Sequence, residues 1–111
     1  MLPKTAPNLF RASLAAIVMV LLFSIYSLAD GGADTYKKKC SACHAANGAG
    51  DTMIGKNLKL RPLGSADVQK QSDDELAIII SKGKNRMPSF GGKLSKDQIG
   101  DVVKYIRSLK Q

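Results

Sequence analysis

The sequence is constrained most strongly by the five-residue stretch Cys40-Ser41-Ala42-Cys43-His44. The chain has 111 residues but only two cysteines and one histidine, and all three lie in this stretch. Such clustering is hard to explain unless the three side chains serve one cofactor together. We therefore expect the rest of the chain to build a pocket around these residues.

The spacing C-x-x-C-H is typical of covalent haem attachment. Two thiols three positions apart on a turn of backbone can reach both vinyl groups of a haem, while the adjacent imidazole ligates the iron. The stretch thus predicts thioether links at Cys40 and Cys43 and an iron ligand at His44. With no second histidine, the chain can carry only one haem of this type.

Three other functions of a C-x-x-C pair compete with this interpretation: a redox-active dithiol, half of a zinc site, and a structural disulfide. A thioredoxin-like dithiol belongs near a βαβ pattern, whereas this chain shows signals for helices and loops. A zinc site usually needs four Cys or His ligands, and the chain has three such residues in total. Because the one histidine is expected to ligate iron, none is left for a Ser-His-Asp triad or a histidine-based metal cluster.

Residues 1–29 have the organisation of a secretory signal peptide. Lys4 and Arg11 supply positive charge without acids, residues 14–23 are an unbroken apolar run, and residues 27–29 (Ser-Leu-Ala) form a small-x-small site. The run is about half of the roughly 20 residues that a membrane span needs. We expect cleavage after Ala29 and a periplasmic or otherwise extracytoplasmic protein, with an uncleaved membrane anchor as the alternative.

Residues 30–111 are predicted to form one all-α domain. A chain this short is only marginally stable from the apolar surface that it buries, so it usually needs a further stabilising element. A buried cofactor supplies that element. We therefore predict that the apo-protein is largely unfolded.

Helices are predicted at 32–40, in a short stretch from 65, at 72–82 and at about 95–110. Capping boxes open the last two, because Ser72 is followed three residues later by Glu75, and Ser95 by Gln98. The segment 45–64 is expected to be irregular, since glycines and a proline interrupt it. Five of its apolar side chains are expected to point inwards: Met53, Ile54, Leu58, Leu60 and Leu63.

The first and last helices are expected to cross. Gly32, Tyr36 and Cys40 lie four residues apart and share one face of the first helix, where a glycine lets another helix approach closely. The last helix carries an apolar stripe with Tyr105 beside it. The stripe consists of Ile99, Val102, Val103, Ile106 and Leu109.

Met87 is the candidate for the second iron ligand. The proline after it biases its backbone to an extended conformation, and a thioether suits haem iron and raises the reduction potential when paired with histidine. Met1 and Met19 lie in the N-terminal segment, and Met53 is only nine residues past His44. Methionine is also a common core filler. If Met87 only fills the core, the iron is five-coordinate, as in a ligand-binding sensor or peroxidase-like protein.

Three motifs together resemble the class I cytochromes c, cytochrome c6-type and related small bacterial members in particular. They are G-x-x-x-Y-x-x-x-C-x-x-C-H from Gly32, M-P-x-F with two glycines from Met87, and V-x-Y-I in the last helix. The resemblance implies four to five short helices around one covalently bound haem c, with the terminal helices crosswise. It also implies thioethers at Cys40 and Cys43, a proximal ligand at His44 and a distal ligand at Met87.

One segment departs from the family pattern. Many members have Gly-Pro-x-Leu after the haem motif, where this chain has Gly55-Lys56-Asn57-Leu58. The proline helps to set the proximal side of the haem, so the carbonyl that accepts a hydrogen bond from His44 is left open. Ile54 or a neighbour is the expected acceptor.

These residues together predict an electron carrier rather than an enzyme, because an iron with two protein ligands has no open position for a substrate. The chain has a net charge of +8, which favours docking on acidic faces of redox proteins. Because aromatic and basic residues are not interleaved, this charge does not indicate nucleic-acid binding. The protein is expected to be a monomer. The alternatives are a haem subunit docked permanently in a larger oxidoreductase, and lysines that merely solubilise the domain. The basic residues that flank the haem-lining segments are Lys37, Lys38, Lys39, Lys56, Lys82, Lys84 and Arg86.

Overall fold

The computed structural model describes residues 11–21 and 31–111, which belong to two compact units divided after residue 30. In the first unit, residues 11–21 are helical and their side chains are exposed. In neither described stretch is a helix both long enough and apolar enough to cross a membrane. The predicted cleavage site at 27–29 lies outside the described residues, so cleavage stays a prediction.

The second unit consists of helices joined by turns. They are α1 (Gly31–Lys39), α2 (Ser41–His44), α3 (Met53–Asn57), α4 (Ala66–Gln69), α5 (Asp73–Lys82) and α6 (Lys96–Ser108). Within residues 31–111 the one pairing of strand type is an isolated bridge between Lys84 and Met87. The four predicted helices correspond to α1, α4, α5 and α6, whereas α2 and α3 are two further short helices that the sequence did not predict.

Both predicted capping boxes form. The Ser72 hydroxyl accepts a hydrogen bond from the Glu75 amide at 3.1 Å, and the Glu75 carboxylate accepts one from the Ser72 amide at 2.7 Å. Ser95 and Gln98 make the same pair of bonds at 3.1 Å and 2.8 Å. These bonds satisfy amides at helix starts that have no partner within the helix, so α5 and α6 begin where the sequence indicates.

The terminal helices α1 and α6 pack closely, as expected. Gly32 has no side chain at the point of contact, where a Cβ atom would lie 2.2 Å from the carbonyl oxygen of Asp101. Next to this contact, the rings of Tyr36 and Tyr105 lie 4.8 Å apart between centroids. The helices can therefore approach with their backbones in contact.

One apolar core lies beneath this crossing and extends to α4 and α5. Tyr36 and Val102 are its most buried side chains, each 1% exposed. The buried members are Tyr36, Val68, Leu76, Ile80, Phe90, Leu94, Ile99, Val102, Val103 and Ile106. The predicted stripe of α6 supplies four of these residues, and its fifth member, Leu109, packs against them partly buried.

The segment 45–64 differs from its prediction in two ways. It contains the short helix α3, because the Thr52 hydroxyl accepts a hydrogen bond from the Gly55 amide at 2.9 Å and caps the first turn. The expectation that Met53 and Ile54 point inwards is wrong for the polypeptide, since they are 81% and 49% exposed. The buried residue of α3 is Gly55, which faces the neighbouring backbone.

Candidate functional site

The cysteine motif lies at the junction of α1 and α2. The Cys40 amide donates to the Tyr36 carbonyl at 2.9 Å as the last bond of the first helix. The Cys40 carbonyl then accepts from the amides of Cys43 and His44, at 3.2 Å and 3.0 Å. One turn of backbone thus brings together three of the four predicted site residues.

The two thiols are partly exposed and not joined in a disulfide. Burial raises the pKa of the Cys40 thiol, and the proximity of Cys43 raises it further. Cys40 also packs against the buried core. The residues 11–21 and 31–111 hold no group of three or more His, Cys, Asp or Glu side chains placed to bind a metal ion.

His44 ends α2 and is largely withdrawn from solvent. Burial lowers its pKa, which keeps the imidazole in the neutral form that ligates metals. Its Nδ1 atom is buried and makes no hydrogen bond. The carbonyl of Ile54, the expected acceptor, instead accepts from the Leu58 amide at 3.0 Å. The predicted bond from His44 is therefore not formed in this structure.

Four consecutive backbone carbonyls, starting at the second cysteine, each accept a hydrogen bond from another segment of the chain. The Cys43 carbonyl accepts from the Thr52 hydroxyl at 3.0 Å, and the His44 carbonyl from the Gly50 amide at 2.9 Å. The Ala45 and Ala46 carbonyls accept from two tyrosine hydroxyls on α1 and α6. Sequence reasoning placed these tyrosines at the helix crossing but did not identify them as donors. The role of Thr52 was also not predicted, because a single threonine before a five-residue helix is a weak capping signal.

Helix α3 packs directly on the haem motif. A Cβ atom at Gly55 would lie 2.5 Å from the Cys43 carbonyl oxygen and 2.3 Å from that of Gly50. Lys56, which replaces the proline of the family pattern, donates its amide to the Thr52 carbonyl at 2.8 Å. A proline has no such donor. The departure from the pattern therefore has a structural reason, since here the residue supplies a bond of the helix.

Met87 lies on a separate segment, in a tight turn after α5. The Lys84 and Met87 backbones exchange two hydrogen bonds, at 2.9 Å and 3.2 Å, and Asn85 between them has a left-handed φ of 54°. Gly83, with φ of 75°, fits under this turn, where a Cβ atom would lie 2.6 Å from the Met87 carbonyl oxygen. Met87 is partly buried and, like Cys40, packs against the common core.

The chain beyond Met87 is attached to the C-terminal end of α5. The amides of Phe90 and Gly91 donate to the carbonyls of Ile80 and Ser81 at 3.0 Å and 2.9 Å. The Ser89 hydroxyl also donates to the Ser81 carbonyl, at 2.5 Å. Because Phe90 is buried in the core, the turn that carries Met87 is fixed at both ends.

The basic residues singled out in the sequence all lie exposed. Lys38 forms an ion pair with Asp34 at 2.9 Å on α1, between two exposed side chains. Such a pair contributes little to stability. The basic residues thus lie at the surface and are not used to build the core.

Comparison with known proteins decides the family. Residues 27–106 match the family described as cytochrome c oxidase, cbb3-type, subunit III. A cytochrome c6 of Thermosynechococcus vestitus is 34% identical over 99 residues, covering 85% of this chain and 86% of that protein. The chain belongs to the class I cytochromes c. A second relative, a cytochrome c6 of Porphyra purpurea, is 30% identical over 105 residues, covering 95% of this chain and 93% of that protein.

The fold agrees with this class I cytochrome c assignment. The solved structure of the KustC0563 c-type cytochrome matches with a TM-score of 0.67 and 29% identity, covering 72% of this chain and 98% of that one. The all-α fold expected from the sequence is thus confirmed. So is the cofactor: as a class I cytochrome c, the chain carries one covalently bound haem c and functions in electron transfer.

The residues present fit such a group on this cytochrome. Two unpaired thiols on one turn are the groups that attach haem c, and the adjacent imidazole is partly buried, which lowers its pKa. The Nδ1 atom of His44 has no hydrogen-bond partner, so the imidazole is not tied to another group of the polypeptide.

Proposed function

We propose that this cytochrome is an exported, soluble electron shuttle in which Cys40 and Cys43 hold the haem and His44 and Met87 are its axial ligands. When bound, the haem supplies a one-electron Fe(III)/Fe(II) couple. The observation that carries the proposal is the turn around Met87, which is fixed at both ends. Gly83 and the hydrogen bonds that the α5 carbonyls accept from residues 90 and 91 fix this methionine against the same core that the cysteine motif contacts.

A methionine held in this way differs from a simple core filler. Filler methionines adapt their flexible side chains to irregular gaps. Here the backbone itself is specified by the left-handed Asn85, by Gly83 and by three hydrogen bonds beyond Met87. A ligand to the iron requires a backbone fixed in this way, because its thioether must reach the metal at one position.

The optical spectrum of the haem-loaded protein tests the proposed ligation. A thioether on ferric haem gives a weak charge-transfer band at about 695 nm, which is expected in the wild type and not in Met87→Ala. Met53→Ala is the matched control, since Met53 is exposed and should leave the band intact. A wild-type protein without the band, whose reduced form binds carbon monoxide readily, would instead be a five-coordinate sensor or peroxidase-like protein.

A second candidate function rests on the family match. The matched family is described as a subunit of an oxidase, so the cytochrome could be the haem subunit of a larger oxidoreductase. Purification from native membranes and from the soluble fraction distinguishes the two candidates. A shuttle is recovered as a monomer, whereas a subunit co-purifies with partners in fixed stoichiometry.

Export is the third part of the proposal. Residues 1–29 combine a positive start, an apolar run and a small-residue cleavage site, which supports secretion. The intact mass of the protein from a periplasmic fraction tests it: cleavage leaves a chain that starts at Asp30. An intact chain found in membranes would show that the segment is retained as an anchor.

Docking on acidic partners is proposed from the exposed basic residues near the site. Lys37, Lys39 and Lys56 lie on or beside the helices that carry or contact the haem motif. Electrostatic steering of this kind weakens as salt rises. Electron-transfer rates with an acidic redox protein should therefore fall with ionic strength, and Lys56→Glu should reduce the rate at low salt more than at high salt. Lys110→Glu, on a residue outside the helices that carry or contact the haem motif, is the charge-matched control.

A further inference from the structure

The residue that follows His44 has a backbone conformation that alanine rarely adopts. Ala45 has φ of 65° and ψ of 160°, which lies in a region used almost only by glycine. Its side chain is buried, at 8% exposure. A strained backbone of this kind persists only where surrounding contacts fix it, and it occurs preferentially at functional sites.

The contacts that fix Ala45 come from three directions. Its amide donates to the Ser41 carbonyl at 2.9 Å, and its carbonyl accepts from the Gly48 amide at 3.1 Å. The same carbonyl accepts the Tyr36 hydroxyl of α1 at 2.7 Å, a buried and short bond. The Tyr105 hydroxyl of α6 donates to the next carbonyl, that of Ala46, at 3.3 Å.

The two tyrosines act as one unit. Their rings are 4.8 Å apart and tilted by 48°, which is a favourable arrangement for an aromatic pair. One comes from each terminal helix, and the hydroxyls reach adjacent carbonyls. The crossing of α1 and α6 is therefore connected by hydrogen bonds to the two residues that follow the imidazole.

The orientation of the imidazole depends on the hydrogen bonds of the ring and on the backbone that carries it. In metal sites a ligating histidine usually donates its second ring nitrogen to a carbonyl or carboxylate, which sets the plane of the ring. The Nδ1 atom of His44 makes no such bond. The backbone on either side of the ring therefore contributes to its orientation, and on the C-terminal side this is the strained Ala45.

We propose that Tyr36, supported by Tyr105, is a positioning residue for the His44 imidazole. Its hydroxyl holds the Ala45 carbonyl in place, which keeps the backbone in its strained form and fixes the ring plane relative to the haem. The inference rests on the proposed ligation of iron by His44. It goes beyond a packing role, since a packing role needs only the aromatic ring and not the hydroxyl.

The test removes the hydroxyls and leaves the rings. In oxidised, haem-loaded Tyr36→Phe, the hyperfine-shifted proton resonances of the His44 ring and of the haem methyl groups should move, and the reduction potential should change. Tyr105→Phe should produce a smaller shift in the same resonances, because its bond is longer. Ile99→Val, which removes one buried methyl group from α6, is the control for a loss of core stability alone.

Adding Ala45→Gly to Tyr36→Phe tests whether the strained backbone links the tyrosine to the imidazole. Glycine adopts the Ala45 conformation without strain, so the double variant should recover stability, and its haem methyl resonances should return towards those of the wild type. If Tyr36→Phe unfolds more easily but keeps wild-type resonances and potential, the tyrosine is only structural and the inference is wrong. If Tyr36→Phe does not mature, Tyr105→Phe decides by the same readout.

The proposed function fails independently of this inference. Loss of the thioether band from the wild type would remove Met87 from the iron, while the His44 ring resonances would still report the effect of the tyrosines. Unchanged resonances in Tyr36→Phe together with an intact band would remove the inference and leave the electron shuttle standing.

Discussion

The backbones of Gly32 and Asp101 are in direct contact where α1 meets α6. A Cβ atom on Gly32 would lie 2.2 Å from the Asp101 carbonyl oxygen and 2.7 Å from its carbonyl carbon. No side-chain rotation can relieve contacts to backbone atoms. The register of the terminal helices, and with it the position of the tyrosine pair, therefore depends on the absence of one methyl group.

Gly32→Ala is expected to lower the free energy of unfolding by about 1–3 kcal/mol or more, because the two helices must separate. Gly100→Ala is the matched control in α6, where a Cβ atom would meet nothing within 4 Å. It should raise stability by about 0.5–1 kcal/mol, since alanine favours a helix interior. Denaturant unfolding of the haem-loaded proteins measures both changes. Equal effects of the two substitutions would contradict the close approach.

Gly83→Ala is expected to disturb the turn that carries Met87. The position has φ of 75°, and the added Cβ atom would lie 2.6 Å from the Met87 carbonyl oxygen. We expect a weaker band at about 695 nm and a lower reduction potential, because the thioether leaves its place on the iron. Gly92→Ala, with nothing within 4 Å of its Cβ position, should leave the band unchanged. An unaltered spectrum in Gly83→Ala would show that the turn does not position Met87.

Lys56→Pro introduces the residue that many class I cytochromes c have at this place, yet we expect it to destabilise this chain. Proline removes the donor of the 2.8 Å bond to the Thr52 carbonyl and restricts Gly55, at a cost of about 3 kcal/mol in a helix interior. Lys56→Ala keeps the donor and should change stability little. Thermal unfolding of the three proteins measures the difference. A Lys56→Pro variant as stable as the wild type would show that α3 is not needed in its present form.

Local signals in the sequence predicted much of this fold. The capping boxes at Ser72 and Ser95 involve residues three apart, so they can be recognised without knowing the rest of the chain. The C-x-x-C-H motif and the Gly32 and Tyr36 spacing likewise placed the haem motif and the helix crossing. The family, the all-α fold and the haem c cofactor are confirmed, whereas His44/Met87 ligation and cleavage after Ala29 remain predictions.

Features that depend on distant parts of the chain could not be predicted. Ala45 looks ordinary in the sequence, because its strain arises from hydrogen bonds made by side chains on α1 and α6. Helix α3 has five residues, which is too few for a periodic pattern. Hydropathy predicted burial for Met53, but the side of α3 that faces the haem motif carries Gly55, since only glycine fits against two carbonyls.

Arg107 joins α6 to the loop before α5, and its loss should be costly. Its guanidinium donates to the carbonyls of Gln69 and Gln71 at 2.9 Å and 2.5 Å and to the Asp73 carboxylate at 2.8 Å. Arg107→Ala should lower the free energy of unfolding by roughly 2–4 kcal/mol, because two carbonyls lose a charged donor. Arg107→Lys should recover only part of this, since one ammonium group cannot reach all three acceptors in the same geometry.

Asp73→Asn is the control for the ion pair in this network. The Asp73 side chain is 72% exposed, so neutralising it should change stability by less than about 1 kcal/mol. Urea unfolding at low and high salt separates the contributions. If Asp73→Asn costs as much as Arg107→Ala, the exposed ion pair and not the two carbonyls provides the stability.

Burial of the Tyr36 hydroxyl makes stability depend on alkaline pH. Burial raises the pKa of Tyr36 well above its ordinary value, because the phenolate would lose its hydration. The folded protein therefore keeps this proton at a pH where the unfolded chain releases it. The stabilisation is fully present below the unfolded-state pKa of about 10 and falls as the pH rises towards the folded-state pKa, by roughly 1.4 kcal/mol per pH unit.

Tyr36→Phe removes the titrating group and should remove this part of the pH dependence. The difference in unfolding free energy between wild type and Tyr36→Phe is expected to be constant between pH 7 and about 9 and to shrink above about pH 10. Guanidinium unfolding of both haem-loaded proteins across this range measures the difference. Parallel curves up to about pH 11 would show that Tyr36 titrates normally and that its bond to the Ala45 carbonyl does not protect the hydroxyl from ionisation.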